Sequence, residues 1–373
     1  MNTLATAVLL LWLLALGRTI LNLLFVPRLR AATPARTPLV SVFVPARDEE
    51  RMIGRAVRAL LAQNYPALEV IVVNDRSVDA TGAILGAIDD PRLVVVKGDD
   101  PPAGWLGKPW ALHQGSLRAR GELLLFVDAD VLYEEGTVAA AVAAIEARGP
   151  AMIALFPRFV MHGAWEHIAM PNLPLTAFIA LPLWLANRTR IRVLGIGGGP
   201  GNLVRRDAYD AAGGHEALRD AVVDDIALAR LVRRAGLRTE IVRAADFVSV
   251  RMYHGLREIV DGFTKNFFAT LGRSYLAVAA AAVLMPLMWI APYAGALAGN
   301  RIWLAALAVM TLLRVILFAA LGYSMVSALF GALPMALVWL WILARSTWKT
   351  GIRRQLHWRG RTYDASRTRF GAD

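Results

Sequence analysis

The sequence predicts an α/β domain built on a mostly parallel sheet, tethered by an apolar amino-terminal helix and followed by a helical membrane region. Three observations predict it. Hydrophobic residues make up 57% of the 373 residues, too many for a soluble α/β protein, so membrane segments must supply the excess. Between residues 39 and 127, short apolar runs alternate with amphipathic stretches, the pattern of parallel strands joined by right-handed helical crossovers. Polar residues, many of them acidic, collect where those runs end, and ligands in such sheets bind outside the carboxyl ends of the strands.

Residues 3–26 are apolar except for Arg18, Thr19 and Asn22 and are long enough to span a bilayer. They lack the basic start and small-residue cleavage site of a signal peptide, so residues 1–27 read as a retained anchor. Arg28, Arg30 and Arg36 follow it, which by the positive-inside rule puts its carboxyl end in the cytoplasm. Residues 28–38, with two prolines, are a linker. Strands are expected at 39–44, 68–73, 93–97 and 123–127, and helices at 49–62, 79–88, 108–119 and 222–232.

Residues 164–187 are apolar but broken by Pro171, Pro174 and Pro182, and read as a helix pair lying in the membrane interface. A full crossing there would put the two halves of the α/β domain, 39–272, on opposite sides of the bilayer. The carboxyl-terminal membrane region, 273–344, holds three candidate spans at 275–298, 302–321 and 325–343. Three crossings from the cytoplasm would leave the basic tail, 345–373, outside, against the charge rule. One segment should therefore fail to cross, either the Pro-broken first one or a shallow pair around Gly322 to Ser324. Arg314, inside the second span, needs a partner or a polar cavity.

The formal charge of +12 includes that tail, with eight Lys/Arg against two Asp, which beside an apolar run suits anionic lipid at a cytoplasmic face. No aromatic-basic repeats or zinc spacings favour nucleic acid. The absence of cysteine excludes disulfides, thiol catalysis and Cys-ligated metal. Neither a dinucleotide fingerprint nor a Walker lysine motif follows the first strand.

The chemistry centres on residues 123–131, where five apolar residues run into Asp128 and Asp130. Two carboxylates at a strand end suit Mg²⁺ or Mn²⁺, which takes hard oxygen ligands and completes its shell with substrate phosphates. The implied substrate is a diphosphate, although Asp-x-Asp alone is also what a surface turn offers. Gly197-Gly-Gly-Pro-Gly-Asn202 lets backbone approach a ligand closely, or is simply a turn. Asp224 and Asp225 open an amphipathic helix, where they complement its dipole or supply a general base.

Four motifs in order, Val44-Pro-Ala-Arg-Asp-Glu-Glu50, Val73-Asn-Asp-Arg-Ser-Val-Asp79, Phe126-Val-Asp-Ala-Asp130 and Val223-Asp-Asp-Ile-Ala-Leu228, resemble the membrane-bound family 2 glycosyltransferases with a GT-A fold. Gly104-Trp-Leu-Gly-Lys-Pro-Trp-Ala-Leu112 and Gly213-Gly-His215 look like the branch of carotenoid (diaponeurosporenoate-type) and hopanoid-associated glycosyltransferases. The resemblance implies that Pro45, Ala46 and Glu49 line a nucleotide pocket, that Asp75 holds uracil or ribose, and that Lys108 meets donor phosphate or base. It implies Asp128 at the donor sugar or ribose and beside the metal, Asp130 on the metal, and Asp225 as base with Asp224 adjacent. Loops around Trp105 and from Gly197 to Asn202, Gly199 among them, would close over the donor. Where polymerising members carry Gln-x-x-Arg-Trp, this chain has Gly262-Phe-Thr-Lys-Asn266, so Lys265 takes the arginine position and the tryptophan is missing. That favours one transfer over processive synthesis.

The expected function is therefore inverting, metal-dependent transfer of a hexose from a nucleotide sugar, UDP-glucose foremost, to an isoprenoid, carotenoid or related lipid. The enzyme would be multi-pass in the inner (plasma) membrane with its catalytic domain cytoplasmic. A processive polysaccharide synthase, a polyprenyl-phosphate sugar transferase and a scaffold with an inactive domain are the alternatives.

Overall fold

The computed structural model describes residues 2–265 and 267–353, with the backbone of two short strands, Gln355–Trp358 and Arg361–Asp364. Asn266 and the side chains of the basic tail beyond Arg353 lie outside the described residues. The chain divides into two compact units. One comprises Val26–Val160 and Leu185–Met252; the other takes the described residues of Met1–Phe25, Met161–Trp184 and Tyr253–Ser366. Residues 161–184 and 253–272 thus group with the apolar helices rather than with the sheet.

In the first unit the strands are β1 (Val40–Ala46), β2 (Leu68–Asn74), β3 (Leu93–Lys97), β4 (Leu123–Phe126), β5 (Val131–Tyr133), β6 (Met152–Phe156), β7 (Arg158–Phe159), β8 (Asn202–Arg205), β9 (Thr239–Arg243) and β10 (Val248–Val250). The main sheet has the order β3-β2-β1-β4-β8-β6-β9. β1 to β4 are mutually parallel and β9 is parallel to β6, while β8 runs antiparallel between β4 and β6. A mostly parallel sheet, as the sequence predicts, is the result. β4 is buried on both faces along its whole length, which is why it reads as an unbroken apolar run. β5, β10 and β7 form a smaller sheet.

The helix Ile53–Leu61 buries Ile53, Ala56, Val57 and Leu60, the i, i+3, i+4, i+7 stripe of a core-facing helix. Pro45 lies inside β1, a central strand, yet leaves no ladder bond unmade. β1 pairs with β4 only as far as Phe43, so Pro45 stands where β1 has already left that neighbour. The linker covers the opposite sheet edge: Leu29 donates to Arg243 O at 2.7 Å and Arg243 to Pro27 O at 2.8 Å, pairing the linker beside β9.

Among the described residues of the second unit, three helices are long and apolar enough to cross a membrane: Asn2–Phe25, Tyr275–Leu297 and Arg301–Leu321. The expected span at 325–343 breaks at Gly331 into Met325–Phe330 and Ala332–Ser346. The longer piece runs on directly into a π-helical turn, Thr347–Ile352. Residues 164–186 form three short helices, Ala164–Ala169, Asn172–Ala180 and Leu183–Ala186, none of spanning length. The polar residues of the first helix explain how this break is tolerated. Arg18 donates to Ile179 O and Ala180 O (3.2 and 2.9 Å), Asn22 donates to Phe178 O and Leu181 O (3.0 and 2.9 Å), and Asn22 Oδ1 accepts from Trp184 N at 3.1 Å. Carbonyls orphaned before Pro182 are thereby satisfied away from water. Arg314 plays a similar part, donating to Ser327 O (2.6 Å) and Ala328 O (2.9 Å) at the end of Met325–Phe330, with its guanidinium 4.9 Å from the Phe318 ring.

One polar cluster locks the amino end of the parallel sheet. Buried Glu69 accepts from Ser41 Oγ (2.6 Å), Arg120 N (2.7 Å) and Arg120 Nε (2.9 Å), and Ser41 Oγ accepts from Gly121 N at 2.8 Å. Burial pushes the Glu69 carboxyl up, but these donors outweigh it and hold it below the ordinary value. A depressed carboxylate stabilises at neutral pH and loses that contribution as the pH falls through its folded-state value. Glu69→Gln should therefore cost about 1.5–3 kcal/mol near pH 7, with the gap from wild type narrowing at pH 4. Denaturant melts at both pH values check this; an equal gap at both would show that the charge contributes nothing.

Candidate active site

The ends of β1 and β2 carry two of the motifs, and their loops are tied to each other. Asp48 and Arg76 both adopt left-handed backbone, with φ of 52° and 54°. Such strain at non-glycine residues persists only where surroundings enforce it. Here Asp48 N donates to Ser77 Oγ (3.1 Å), Val78 N to Asp48 Oδ1 (2.8 Å), Glu49 N to Thr81 Oγ1 (2.8 Å) and Ala80 N to Glu50 Oε2 (3.0 Å). Asp75 is buried between two guanidiniums, Arg47 at 3.7 Å and Arg76 beside it.

At the end of β4, Asp128 N donates to Gly199 O at 2.8 Å, so the glycine loop crosses directly over the acidic motif. An added Cβ at Gly199 would collide with the Asp128 carboxylate, and one at Gly197 with the Asp225 backbone. Asn202 fastens the loop, accepting from Gly198 N at 3.1 Å and donating to Asp225 O at 3.3 Å. Close approach of backbone, rather than a flexible turn, is the use of these glycines.

Lys108, in the first turn of the helix Gly107–Ser116, places its ammonium 2.8 Å from Asp128 and 3.2 Å from Asp224. Burial works against that charge, but Asp128, Asp224 and Asp225 outweigh it and hold the ammonium well above the ordinary lysine value. Burial pushes Asp224 up to about 6, Lys108 pulling against it and Asp225 and Asp128 adding to it. Asp225 is raised in the same sense by burial and by Asp128, against Lys108 and against amide donors from Ile226 and Gly199. Asp225 makes no ion pair within the described residues; its Oδ1 accepts from Ile226 N at 2.7 Å. These groups, with Pro45, Phe126, Asn202 and His215, line a pocket whose free volume is about 10 Å³, room for one water-sized group.

Asp130 is pushed up to about 7 by burial, then by Asp128 and Glu49. Its nearest counter-charge is Lys108, which is engaged elsewhere, and among the described residues no hydrogen bond or ion pair from another side chain reaches Asp130. Hard oxygens crowded together without a cation of their own fit a divalent ion. Among the described residues no group of three His, Cys, Asp or Glu is placed to hold a metal ion.

Pro45, Lys108, Asp128, Gly199, Asn202, Asp224 and Asp225 thus converge on one pocket, and Asp130 and Glu49 share its electrostatics. Ala46 and Asp75 sit at the adjoining strand ends. Trp105 joins Trp110 (5.0 Å) and His113 (4.9 Å) in an aromatic cluster at the lip of the Lys108 helix. Lys265 belongs to the other unit. Sequence reasoning missed the pair beneath the pocket. His215 is fully buried, bonded through Nδ1 to Tyr209 O–H at 2.8 Å and set edge-on to Phe126 at 4.7 Å. Burial and then the neighbouring Lys108 drive it down to about 3, so it is a neutral prop. The left-handed Gly213 and Gly214, with φ of 92° and 56°, were its available signal.

The mostly parallel sheet with an acidic cluster at its carboxyl edge is a GT-A type α/β domain, as the likenesses that follow show. Residues 41–211 match the pattern described as Glycosyl transferase family 2, and the chain carries a family 2 glycosyltransferase domain. It is 27% identical over 253 residues to the 4,4'-diaponeurosporenoate glycosyltransferase of Staphylococcus aureus (strain MRSA252), covering 66% of this chain and 65% of that protein. The corresponding protein of strain USA300 is 26% identical with the same coverage. The chain thus spans a little under two thirds of the length of these curated relatives. Among solved structures, a mannosyltransferase from Pyrobaculum calidifontis, in complex with GDP-Man and Mn²⁺, shares the fold at a TM-score of 0.56 and 19% identity, over 94% of this chain and 97% of that one.

Gly199→Ala must displace either the loop or Asp128, and an error of about 1 Å in such a site costs on the order of 100-fold. Transfer should fall by at least that factor while far-UV circular dichroism stays unchanged. Wild-type turnover in the variant would mean that the close approach is not required.

Proposed function

We propose that the chain catalyses inverting transfer of one hexose from a nucleotide diphosphate sugar, UDP-glucose foremost, to a hydroxyl or carboxyl group of an isoprenoid or carotenoid-like membrane lipid. The observation that carries this is the division between the paired acids. Asp224 is buried and committed to Lys108, whereas Asp225 is half-buried, raised in proton affinity and without an ion pair among the described residues. Asp225 is the base: it takes the proton from an acceptor hydroxyl as that oxygen attacks the anomeric carbon from the face opposite the nucleotide. With a carboxylate acceptor no proton need move, and Asp225 then orients the acceptor.

Pro45, Ala46 and Glu49 line the nucleoside side, and Asp75, held by Arg47 and Arg76, meets the base or ribose. Lys108 fixes the Asp128 carboxylate against the donor and presents positive charge to its phosphates. Asp130 with Asp128 would hold Mg²⁺ or Mn²⁺, which when bound neutralises charge on the departing diphosphate. Trp105 and the loop from Gly199 to Asn202 shield the donor from water. The curated relatives, glycosyltransferases named for a carotenoid acid, support a lipid acceptor. Two crossings by Tyr275–Leu297 and Arg301–Leu321 would return the chain to the side of Arg28, so Arg345 and Lys349 would share the cytoplasmic face with the first linker. Lys265 without a following tryptophan favours a single transfer over polymer synthesis.

Membranes containing the full chain, given labelled UDP-glucose, Mn²⁺ and source-cell lipids, should move label into organic solvent. Asp225→Asn should lower this by a factor on the order of 10²–10⁴ and leave nucleotide binding intact; an equal loss of binding would sink the base assignment. Because the base acts ionised and its affinity for protons is raised, kcat/KM should fall on the acid side at a pH above the ordinary carboxylate range. Asp130→Ala should make nucleotide binding indifferent to Mn²⁺, and a variant still responding to the ion would put it elsewhere.

A further inference from the structure

The linker that follows the first membrane-length helix does more than connect. Its start is pinned beside β9 through Leu29 and Arg243, and its end is pinned by Glu146 Oε2, which accepts from Ala35 N at 3.1 Å and Arg36 N at 3.4 Å. Between these pins it runs beside the helix Thr137–Arg148 and borders an open cleft of about 690 Å³. Arg28, Arg30, Arg36, Arg148 and Arg205 line it, against the single carboxylate Glu146.

The charges are not balanced internally. Arg36 pairs with Glu122 at 3.3 Å, Arg148 with Glu240 at 2.5 Å, and Arg205 donates to Pro150 O and Ile145 O. The guanidiniums of Arg28 and Arg30 have no hydrogen-bond or ion-pair partner among the described residues, and both are exposed. Glu240 is shared between Arg148 and Arg238, so it does not neutralise the cleft arginine by itself and the cleft is left net positive. The cleft floor is apolar, formed by Ala140, Ala143, Ala144 and Ala147, small residues that leave room where longer ones would fill it. Arg28 stands three residues after Phe25, the end of the first helix, so at most about 10 Å of chain separates it from that helix.

We propose that this cleft binds the headgroup phosphate of one anionic membrane phospholipid, with Arg28 and Arg30 on the phosphate oxygens and the alanine floor against the glycerol and first methylenes. Planar guanidiniums suit phosphate because their paired N–H groups match its oxygens. The cleft size falls within the usual range for small-ligand sites, roughly 300–1,000 Å³. A lipid rather than a free anion is favoured by the apolar floor and by the position directly after a membrane-length helix. The proposal does not depend on glycosyl transfer, and its test reads binding alone.

Native mass spectrometry of the detergent-solubilised full chain, offered equal palmitoyl-oleoyl phosphatidylglycerol and phosphatidylcholine, should show at least fivefold preferential retention of phosphatidylglycerol. Arg28→Ala with Arg30→Ala should reduce the preference to parity. Ala144→Leu, which fills the floor without changing charge, should also lower it at least threefold, with melting of the protein in the same detergent confirming the fold. Unchanged preference in the double variant would overturn the site. Loss in the double variant with full retention in Ala144→Leu would mean diffuse surface charge and equally overturn it. Displacement of the lipid by 10 mM inorganic phosphate would show a free-anion site instead.

Discussion

The acidic pocket depends on one shared cation. Lys108 stands between Asp128 and Asp224, with Asp225 close behind, and without that ammonium three carboxylates would face one another in a closed space. Like charges so placed repel strongly in a medium that screens poorly. The rest of the site follows from holding the lysine in place. Its helix packs on β1 and β2, its ammonium reaches over Phe126, and the neutral His215 beneath it adds no second positive charge. The glycine loop can lie across the top only because positions 197 and 199 carry no side chain. The pocket is already short of positive charge, and the proposed binding of a diphosphate would deepen that deficit, which is the physical reason for proposing a divalent ion at Asp130.

How much of this was legible depends on the range of the interaction. β4 announced itself because a strand buried on both faces must be apolar throughout and must stop where its polar residues begin, at Asp128. Asp128, Asp130 and Asp225 were readable for the same reason: carboxylates at element ends are local features. The bridge from Lys108 to Asp224 was not, since residues 116 positions apart leave no periodic signal. β8 was equally silent about its direction. Four residues can pair either way, and here the strand pairs antiparallel with both β4 and β6. Boundaries shifted by a few residues where motifs extend strands, as with Pro45 and Ala46, which belong to β1 itself.

At one point in the membrane unit the helices depart from what hydropathy alone gives. Hydropathy alone reports composition, and residues 325–343 are apolar enough to span, but Gly331 and the carbonyls taken by Arg314 divide them into two shorter helices. The arginine that looked like an anomaly within a span is the donor that makes this break tolerable. Arg18 and Asn22 do the same for the break before Pro182. In each case a polar side chain in an apolar helix marks a neighbouring segment whose backbone cannot satisfy itself.

The same logic separates the two adjacent acids. Successive residues on a helix point about 100° apart, so Asp224 and Asp225 cannot both face Lys108. The first turns inward, is buried and forms the ion pair; the second is left half-buried at the pocket wall beside Gly199. A base must exchange its proton with the acceptor and then with solvent, which an acid locked against an ammonium does poorly. This is the physical ground for the proposed roles, Asp224 holding Lys108 and Asp225 moving the proton. Two identical residues at neighbouring positions acquire different chemistry from helix geometry and one cation.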